Sequence, residues 1–246
     1  MTKSVAITGG NRGIGRALTD GFLAAGYKVA VGARQRLDLD DLGTDVTFVE
    51  MDVRSEADHV RLVQAAQALG DFTAYVNNAG FSAWSPISEI TDDFYDDMMA
   101  TNLKGAFWGC KAAEAALPKG GSILNISSMA AKRGSANNSV YCATKFGMNG
   151  LTQSLAKELG PQGIRVNAIC PVLVRTDGLI DALNRDDSPA KGDAETFLEN
   201  FRQSQAALDH LPTGEEVANY ALFLTSGAAS AMTGTCVNVD CGVFPQ

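Results

Sequence analysis

The sequence predicts an α/β fold built on a doubly wound parallel sheet with helices on both faces. Three observations lead there. Short apolar runs alternate with helical patterns along the whole chain. The runs are nearly continuously apolar, as strands covered on both faces require. The small, polar and glycine-bearing motifs fall at strand ends, where such sheets bind ligands. A length of 246 residues, 46% of them hydrophobic, fits one domain over 1–246 with ample material for a core.

The elements follow in order. Ser4–Thr8 is a short apolar strand, and Gly13–Ala25 a helix with Ile14, Leu18, Phe22 and Leu23 near one face. Lys28–Ala33 and Val46–Met51 read as the second and third strands, Ala57–Leu69 as a helix, and Phe72–Asn77 as the fourth strand. Asp92–Leu117 is a long helical stretch, followed by a fifth strand at Ser122–Ser127. A helix around Tyr141 runs to Lys157, with Leu151, Leu155 and Leu159 on its apolar side. Ile164–Cys170 is the sixth strand, Glu215–Thr225 a helix, and Thr235–Val239 the last strand.

Composition narrows the function. A net charge of −8 argues against nucleic acid or an anionic membrane as partner. No apolar run is long enough to span a bilayer, and the first residues lead straight into a strand, so a cytoplasmic location is expected. Five scattered cysteines show no metal-ligand spacing; no metal is expected, and the thiols read as reduced. No repeat, low-complexity tract or linker divides the chain.

The first motif, Thr8-Gly-Gly-Asn-Arg-Gly-Ile-Gly15, lies between a strand and a helix. Gly9, Gly13 and Gly15 let the backbone turn tightly and approach a pyrophosphate, which the helix N-terminus attracts. No Lys-Ser or Lys-Thr follows, which disfavours a P-loop. A glycine triplet alone could be a mere turn; its place on the first strand–helix junction favours dinucleotide binding. Asn77-Asn78-Ala79-Gly80 ends the fourth strand and is, alone, either a turn or the floor of a site. Asn102 is a poor residue for a helix interior, since its amide competes for backbone groups, so it caps a segment or marks an irregularity.

Tyr141 and Lys145 are four apart and share a helix face. A nearby ammonium lowers a phenol's pKa and suits it to proton exchange. Taken alone the pair reads better as a packed Tyr with a solvated Lys one turn on. Ser127-Ser128 closes the fifth strand thirteen positions before Tyr141 and could bring a hydroxyl to the phenol.

Together these residues resemble a classical short-chain dehydrogenase/reductase over nearly the whole chain. Thr8-Gly-x-x-x-Gly13-x-Gly15 is similar to that family's cofactor loop, Asp52-Val53 to its adenine pair, and Asn77–Gly80 to the motif that steadies the sheet. Asn102, Ser128, Tyr141 and Lys145 match its catalytic tetrad in order and spacing. Three residues between Tyr141 and Lys145 fit the classical type better than the enoyl-reductase relatives, whose gap is longer. The resemblance implies a Rossmann-type fold and hydride transfer between a nicotinamide and a carbonyl or secondary alcohol. In that scheme Tyr141 exchanges the oxygen's proton and Ser128 stabilises the oxygen. Lys145 lowers the Tyr141 pKa and holds the nicotinamide ribose, and Asn102 supports a water. It also implies cofactor contacts from Gly9, Asn11, Arg12, Gly13, Ile14, Gly15, Arg34, Asp52, Val53, Asn78, Ala79, Gly80, Tyr141, Lys145, Pro171, Val174 and Thr176.

One departure stands out. The family usually has Pro-Gly after the sixth strand, where this chain has Pro171-Val172. A β-branched residue resists positive φ, so a different local backbone is expected. The second strand ends Ala33-Arg34 where an acidic residue would bind the ribose of NAD, so NADP is expected over NAD. Residues 173–211 correspond to the substrate lid, and Arg175 or Arg133 would pair an anionic carbonyl substrate. A homotetramer or homodimer is expected from the apolar Tyr141 helix and Val237–Phe244. Two alternatives stay open: a cofactor-binding regulator, and an epimerase or dehydratase on the same scaffold.

Overall fold

The computed structural model describes residues 2–37, 39 and 41–245. Seven strands form one parallel sheet: β1 (Lys3–Thr8), β2 (Lys28–Ala33), β3 (Val46–Glu50), β4 (Asp71–Asn77), β5 (Ser122–Ile126), β6 (Arg165–Pro171) and β7 (Cys236–Val239). Their order is β3-β2-β1-β4-β5-β6-β7. The order reverses between β1 and β4, and ligands of open α/β sheets bind beyond the strand ends at such a point.

The helices are α1 (Gly13–Ala24), α2 (Glu56–Leu69), α3 (Asp92–Met98), α4 (Gly105–Glu114), α5 (Ser139–Leu159), α6 (Asp177–Leu183), α7 (Ala194–Gln205) and α8 (Gly214–Thr225). Strand alternation divides the core in two. Val5, Ile7, Val29 and Val31 face α1 and α8, meeting Leu18, Phe22 and Leu224. Ala6, Ala30 and Tyr75 face the other way, meeting Leu62 of α2, Cys110 of α4 and Ala156 of α5. The central strands therefore bury both faces, which is why their sequences are mostly apolar, whereas the edge strands β3 and β7 are only half-buried.

The expected strands and most helices stand within a residue or two of their sequence bounds. The stretch expected as one helix over Asp92–Leu117 does not. It is α3, then a widened turn at Met99–Lys104, then α4, which ends at Glu114. Residues 173–211 hold α6 and α7, gathered around a small apolar cluster of Trp84, Leu183 and Leu198. No helix among the described residues is long and apolar enough to cross a membrane. None of their His, Cys, Asp or Glu side chains group to hold a metal.

Candidate active site

The glycine loop joins β1 to α1. Gly9 and Gly13 take φ of +64° and +53°, which side chains with a Cβ disfavour. A Cβ on Gly15 would stand 1.9 Å from the Gly9 carbonyl oxygen, so only a glycine closes this turn. No side chain caps α1, which leaves its first N–H groups and positive dipole end to an anion. A pyrophosphate fits this cradle. Thr8 Oγ1 accepts from the Asn78 and Ala79 N–H groups, each at 3.0 Å, and Asn78 Nδ2 donates to the Thr8 and Gly9 carbonyls. The Asn77–Gly80 motif is thus clamped to the glycine loop at the switch point. Ile14 and Val174 pack into the core beneath it.

Asn11 is buried, and its Nδ2 donates to the Gln35 carbonyl at 2.8 Å. That bond ties the glycine loop to the end of β2, so Arg12 and Arg34, each next to one of the bonded residues, flank one link. Both arginines are exposed. Arg34 borders a hollow lined by Glu50, Met51, Asp52, Asp58 and Arg61. The Asp52 carboxylate accepts from Arg54, which holds its pKa below the usual carboxylate range, and Arg34 adds a weaker pull in the same direction. Asp52 thus lines the hollow beside Arg34, and Val53 follows it in the chain.

The tetrad residues come from the turn after β5, from α5 and from the widened turn. The Asn102 turn has π geometry, with the Gly105 N–H bonded to Ala100, five residues back. Such bulges are frequent at functional sites. Asn102 is fully buried; its Oδ1 accepts from Phe81 N at 3.0 Å and its Nδ2 donates to Phe81 O at 2.8 Å. The amide is committed to the loop after β4, and a longer 3.4 Å contact reaches Thr144 of α5. A Cβ on Gly80 would meet Asn102 Oδ1 at 2.9 Å, so the glycine of that motif makes room for the amide.

Ser128 follows β5, its Oγ accepting from Ala130 N at 3.1 Å. Lys145 is buried and donates through Nζ to the Ile126 carbonyl at 2.8 Å, 5.7 Å from the Tyr141 ring centre. The expected lowering of the Tyr141 pKa is not what this arrangement gives. Burial pushes the phenol up to about 12, and the neighbouring Ser128 hydroxyl pulls more weakly the other way. Burial also brings Lys145 down to about 8. Removing water from the phenolate costs more than these neighbours return. At neutral pH Tyr141 carries its proton and can give it.

After β6 the chain keeps to the sheet. Val172 has no positive φ and donates its N–H to the Val239 carbonyl at 3.3 Å. The absence of positive φ is what a β-branched residue at this position requires. Pro171 ends β6, and Thr176 caps α6 with its side chain; its methyl carbon would lie 3.3 Å from a Cβ on Gly13. The start of the 173–211 segment thus lies over the glycine loop. Arg175 is exposed and bonded through both terminal nitrogens to Glu195, at 2.7 and 2.5 Å. Its guanidinium is already paired. Arg133 is exposed and forms no ion pair among the described residues.

A family model described as enoyl-(acyl carrier protein) reductase matches residues 9–244. L-xylulose reductase of Bos taurus is 36% identical over 244 residues, covering 96% of this chain and 94% of that protein. The chain belongs to the short-chain dehydrogenase/reductase family. A short-chain dehydrogenase/reductase from Brucella melitensis, described as a glucose/ribitol dehydrogenase, superimposes with a TM-score of 0.89 at 30% identity over 100% of this chain and 97% of that one. A single-site variant of actinorhodin polyketide ketoreductase, solved with NADPH, gives 0.89 at 29% identity over 99% of each chain. This short-chain dehydrogenase/reductase is therefore an NAD(P)-dependent oxidoreductase that acts on a carbonyl or alcohol carbon.

Several residues that shape the site in this family member do not stand out in the sequence. Thr8 stands at the head of the glycine motif, but the clamp its hydroxyl makes is not legible there. Asn77 Nδ2 donates to Asn125 Oδ1 at 2.9 Å, and Asn125 Nδ2 to Thr152 Oγ1 at 2.9 Å, a buried polar line from β4 through β5 to α5. His59 belongs with Leu62, Val63 and Ala66 on the buried face of α2. A His at apolar helix spacing is the signal that could have found it.

Proposed function

We propose that the enzyme is an NADPH-preferring reductase of small carbonyl compounds, with one catalytic domain over 1–246 and residues 173–211 as its substrate lid. The observation that carries this reading is the Tyr141 phenol beside the Ser128 hydroxyl, with Lys145 Nζ 5.7 Å from its ring centre. When bound, the reduced nicotinamide supplies hydride to the carbonyl carbon. Tyr141 gives its proton to the carbonyl oxygen, and Ser128 hydrogen-bonds that oxygen as charge develops. Lys145 holds the ribose and supplies positive charge. Asn102 would support a water that leads protons outward, while its side-chain amide holds the loop at Phe81.

The glycine loop with Asn11 and Ile14 would hold the pyrophosphate, Asp52 and Val53 the adenine, and Asn78, Ala79 and Gly80 the ribose side. Pro171, Val174 and Thr176 would meet the nicotinamide end. Arg12 and Arg34 favour a 2′-phosphate, and the NADPH in the actinorhodin ketoreductase structure supports the same preference. The substrate's anionic character rests on Arg133, since Arg175 is paired with Glu195. The assembly is a homotetramer or homodimer through α4 and α5, on which Phe107 and Phe146 remain about half exposed. A cytoplasmic location suits the five free thiols.

The test is a panel of ketones, hydroxyketones and diols assayed by nicotinamide absorbance with NADPH and NADH. Net oxidation of NADPH by ketones supports the reading. Substrate conversion without net cofactor turnover would instead mark an epimerase or dehydratase.

A further inference from the structure

His59 is the one imidazole sealed inside the described core, with no exposed surface, and the reaction does not use it. Its Nε2 lies 2.8 Å from the Val53 carbonyl oxygen and its Nδ1 2.6 Å from the Tyr75 hydroxyl. A carbonyl can only accept, so Nε2 carries the proton. Burial lowers the imidazole pKa, which keeps the ring neutral; Nδ1 is then an acceptor and Tyr75 the donor. One tautomer satisfies all three groups, and Tyr75 is itself fully buried in β4.

Val53 is the residue expected beside adenine. The turn around it is held from the same helix at a second point, where Asp58 Oδ2 accepts from Asp52 N at 2.9 Å. Behind it, Gly105 of α4 leaves so little room that a Cβ would stand 3.1 Å from Val53. The imidazole thus connects the Asp52–Arg54 turn to the centre of the sheet, while Asp52 lines the hollow beside Arg34.

We propose that His59 is a positioning residue for the adenosine half of the dinucleotide: through Val53 and Tyr75 it sets where the adenine turn stands relative to the glycine loop. This rests on the NAD(P) reading of the site. It predicts an effect confined to one half of the cofactor, which a general loss of packing would not give.

The experiment compares wild type with His59→Phe, which keeps a ring but loses both bonds, and His59→Gln, whose amide can still donate to Val53. Adenosine 2′,5′-bisphosphate and nicotinamide mononucleotide are titrated separately by calorimetry, alongside KM and kcat for NADPH. His59→Phe is expected to weaken the bisphosphate and raise the NADPH KM by about tenfold, the scale of one buried hydrogen bond. The mononucleotide affinity and the kcat at saturating NADPH stay near wild type, and His59→Gln recovers most of the loss. Unchanged bisphosphate affinity, or equal losses for both halves, overturns the proposal. If His59→Phe does not fold, Tyr75→Phe decides in its place: it frees the Nδ1 side alone and must weaken the bisphosphate selectively. A wild type that binds neither half rejects the cofactor reading instead, a result distinct from failure of His59.

Discussion

Lys145 Nζ stands 5.7 Å from the centre of the Tyr141 ring while its hydrogen bond goes to the Ile126 carbonyl. Both groups are shifted by burial toward their neutral forms, the phenol up to about 12 and the ammonium down to about 8. In the free enzyme the phenol therefore keeps its proton at neutral pH. Reduction needs that proton on Tyr141, whereas alcohol oxidation needs it gone.

The pH dependence follows with its sign. For carbonyl reduction, kcat/KM is expected to be flat below about pH 8 and to fall above it, as Lys145 discharges while Tyr141 stays protonated. Oxidation of the matching alcohol rises through the same range. Tyr141→Phe should lose roughly 10²–10⁴-fold in turnover at every pH while keeping its affinity for NADPH. An oxidation rate already level at neutral pH would show that burial does not govern the phenol.

The charge on Lys145 has a stability consequence. Its folded pKa of about 8 lies below the ordinary lysine value of 10.5, so between these values the unfolded chain binds more protons and stability rises with pH. Below about pH 8 the full penalty of charge burial is present, on the order of 3 kcal/mol. Lys145→Met is expected to abolish activity yet unfold at no lower temperature than wild type near neutral pH. Its advantage should shrink near pH 10. Thermal unfolding at the two pH values checks this, and a strongly destabilised variant would assign the ammonium a stabilising role.

Gly15→Ala places a methyl 1.9 Å from the Gly9 carbonyl oxygen and 2.6 Å from Asn78 Nδ2. Overpacking of this kind costs about 1–3 kcal/mol. The variant is expected to melt below wild type and to lose dinucleotide binding together, because the turn that must open is the turn that cradles phosphate. Calorimetric binding at wild-type strength would show that the loop tolerates the shift.

Much of this is legible in the sequence, for identifiable reasons. Strands buried on both faces must be apolar runs, so the central strands β1, β2, β4, β5 and β6 stand out, and the spacing of Tyr141 and Lys145 places both on α5. The widened turn at Asn102 does not stand out, since a π turn and an α turn carry the same local apolar pattern. The Asn11–Gln35 bond joins residues 24 apart, and the pairing of His59 with Tyr75 joins residues 16 apart; both depend on how the strands lie. The Tyr141 shift runs opposite to the sequence expectation because charge spacing can be read from a sequence, whereas loss of solvent cannot.

Substrate charge separates two arginines. Arg175 is bound to exposed Glu195 of α7, and Arg133 follows the Ser128 turn without an ion pair among the described residues. If the substrate is a carboxylate, Arg133→Ala is expected to raise its KM by about tenfold and leave neutral ketones unaffected, the scale of one charge-assisted bond. Arg175→Ala should act alike on both, through the lid. Equal turnover of neutral and anionic ketones in wild type, undisturbed by Arg133→Ala, would remove the anionic reading.

Cofactor choice turns on the link between Asn11 and Gln35, which brings the loops carrying Arg12 and Arg34 together. An acidic residue at the end of β2 would accept from a ribose hydroxyl and repel a phosphate; here Ala33 and Arg34 stand there instead. Hydrogen bonds to a charged phosphate are worth roughly 1.5–3 kcal/mol each, about ten- to a hundredfold in affinity per arginine. Wild type is expected to favour NADPH over NADH by that order in kcat/KM. Arg34→Asp should narrow or invert the ratio, chiefly through the KM for NADPH. Arg34 has the hollow of Asp52 and Asp58 beside it, so an added carboxylate there would raise the local negative charge and sharpen the rejection of phosphate. A wild type that prefers NADH, or an Arg34→Asp variant with an unchanged ratio, would assign this arginine to stacking or to solvent.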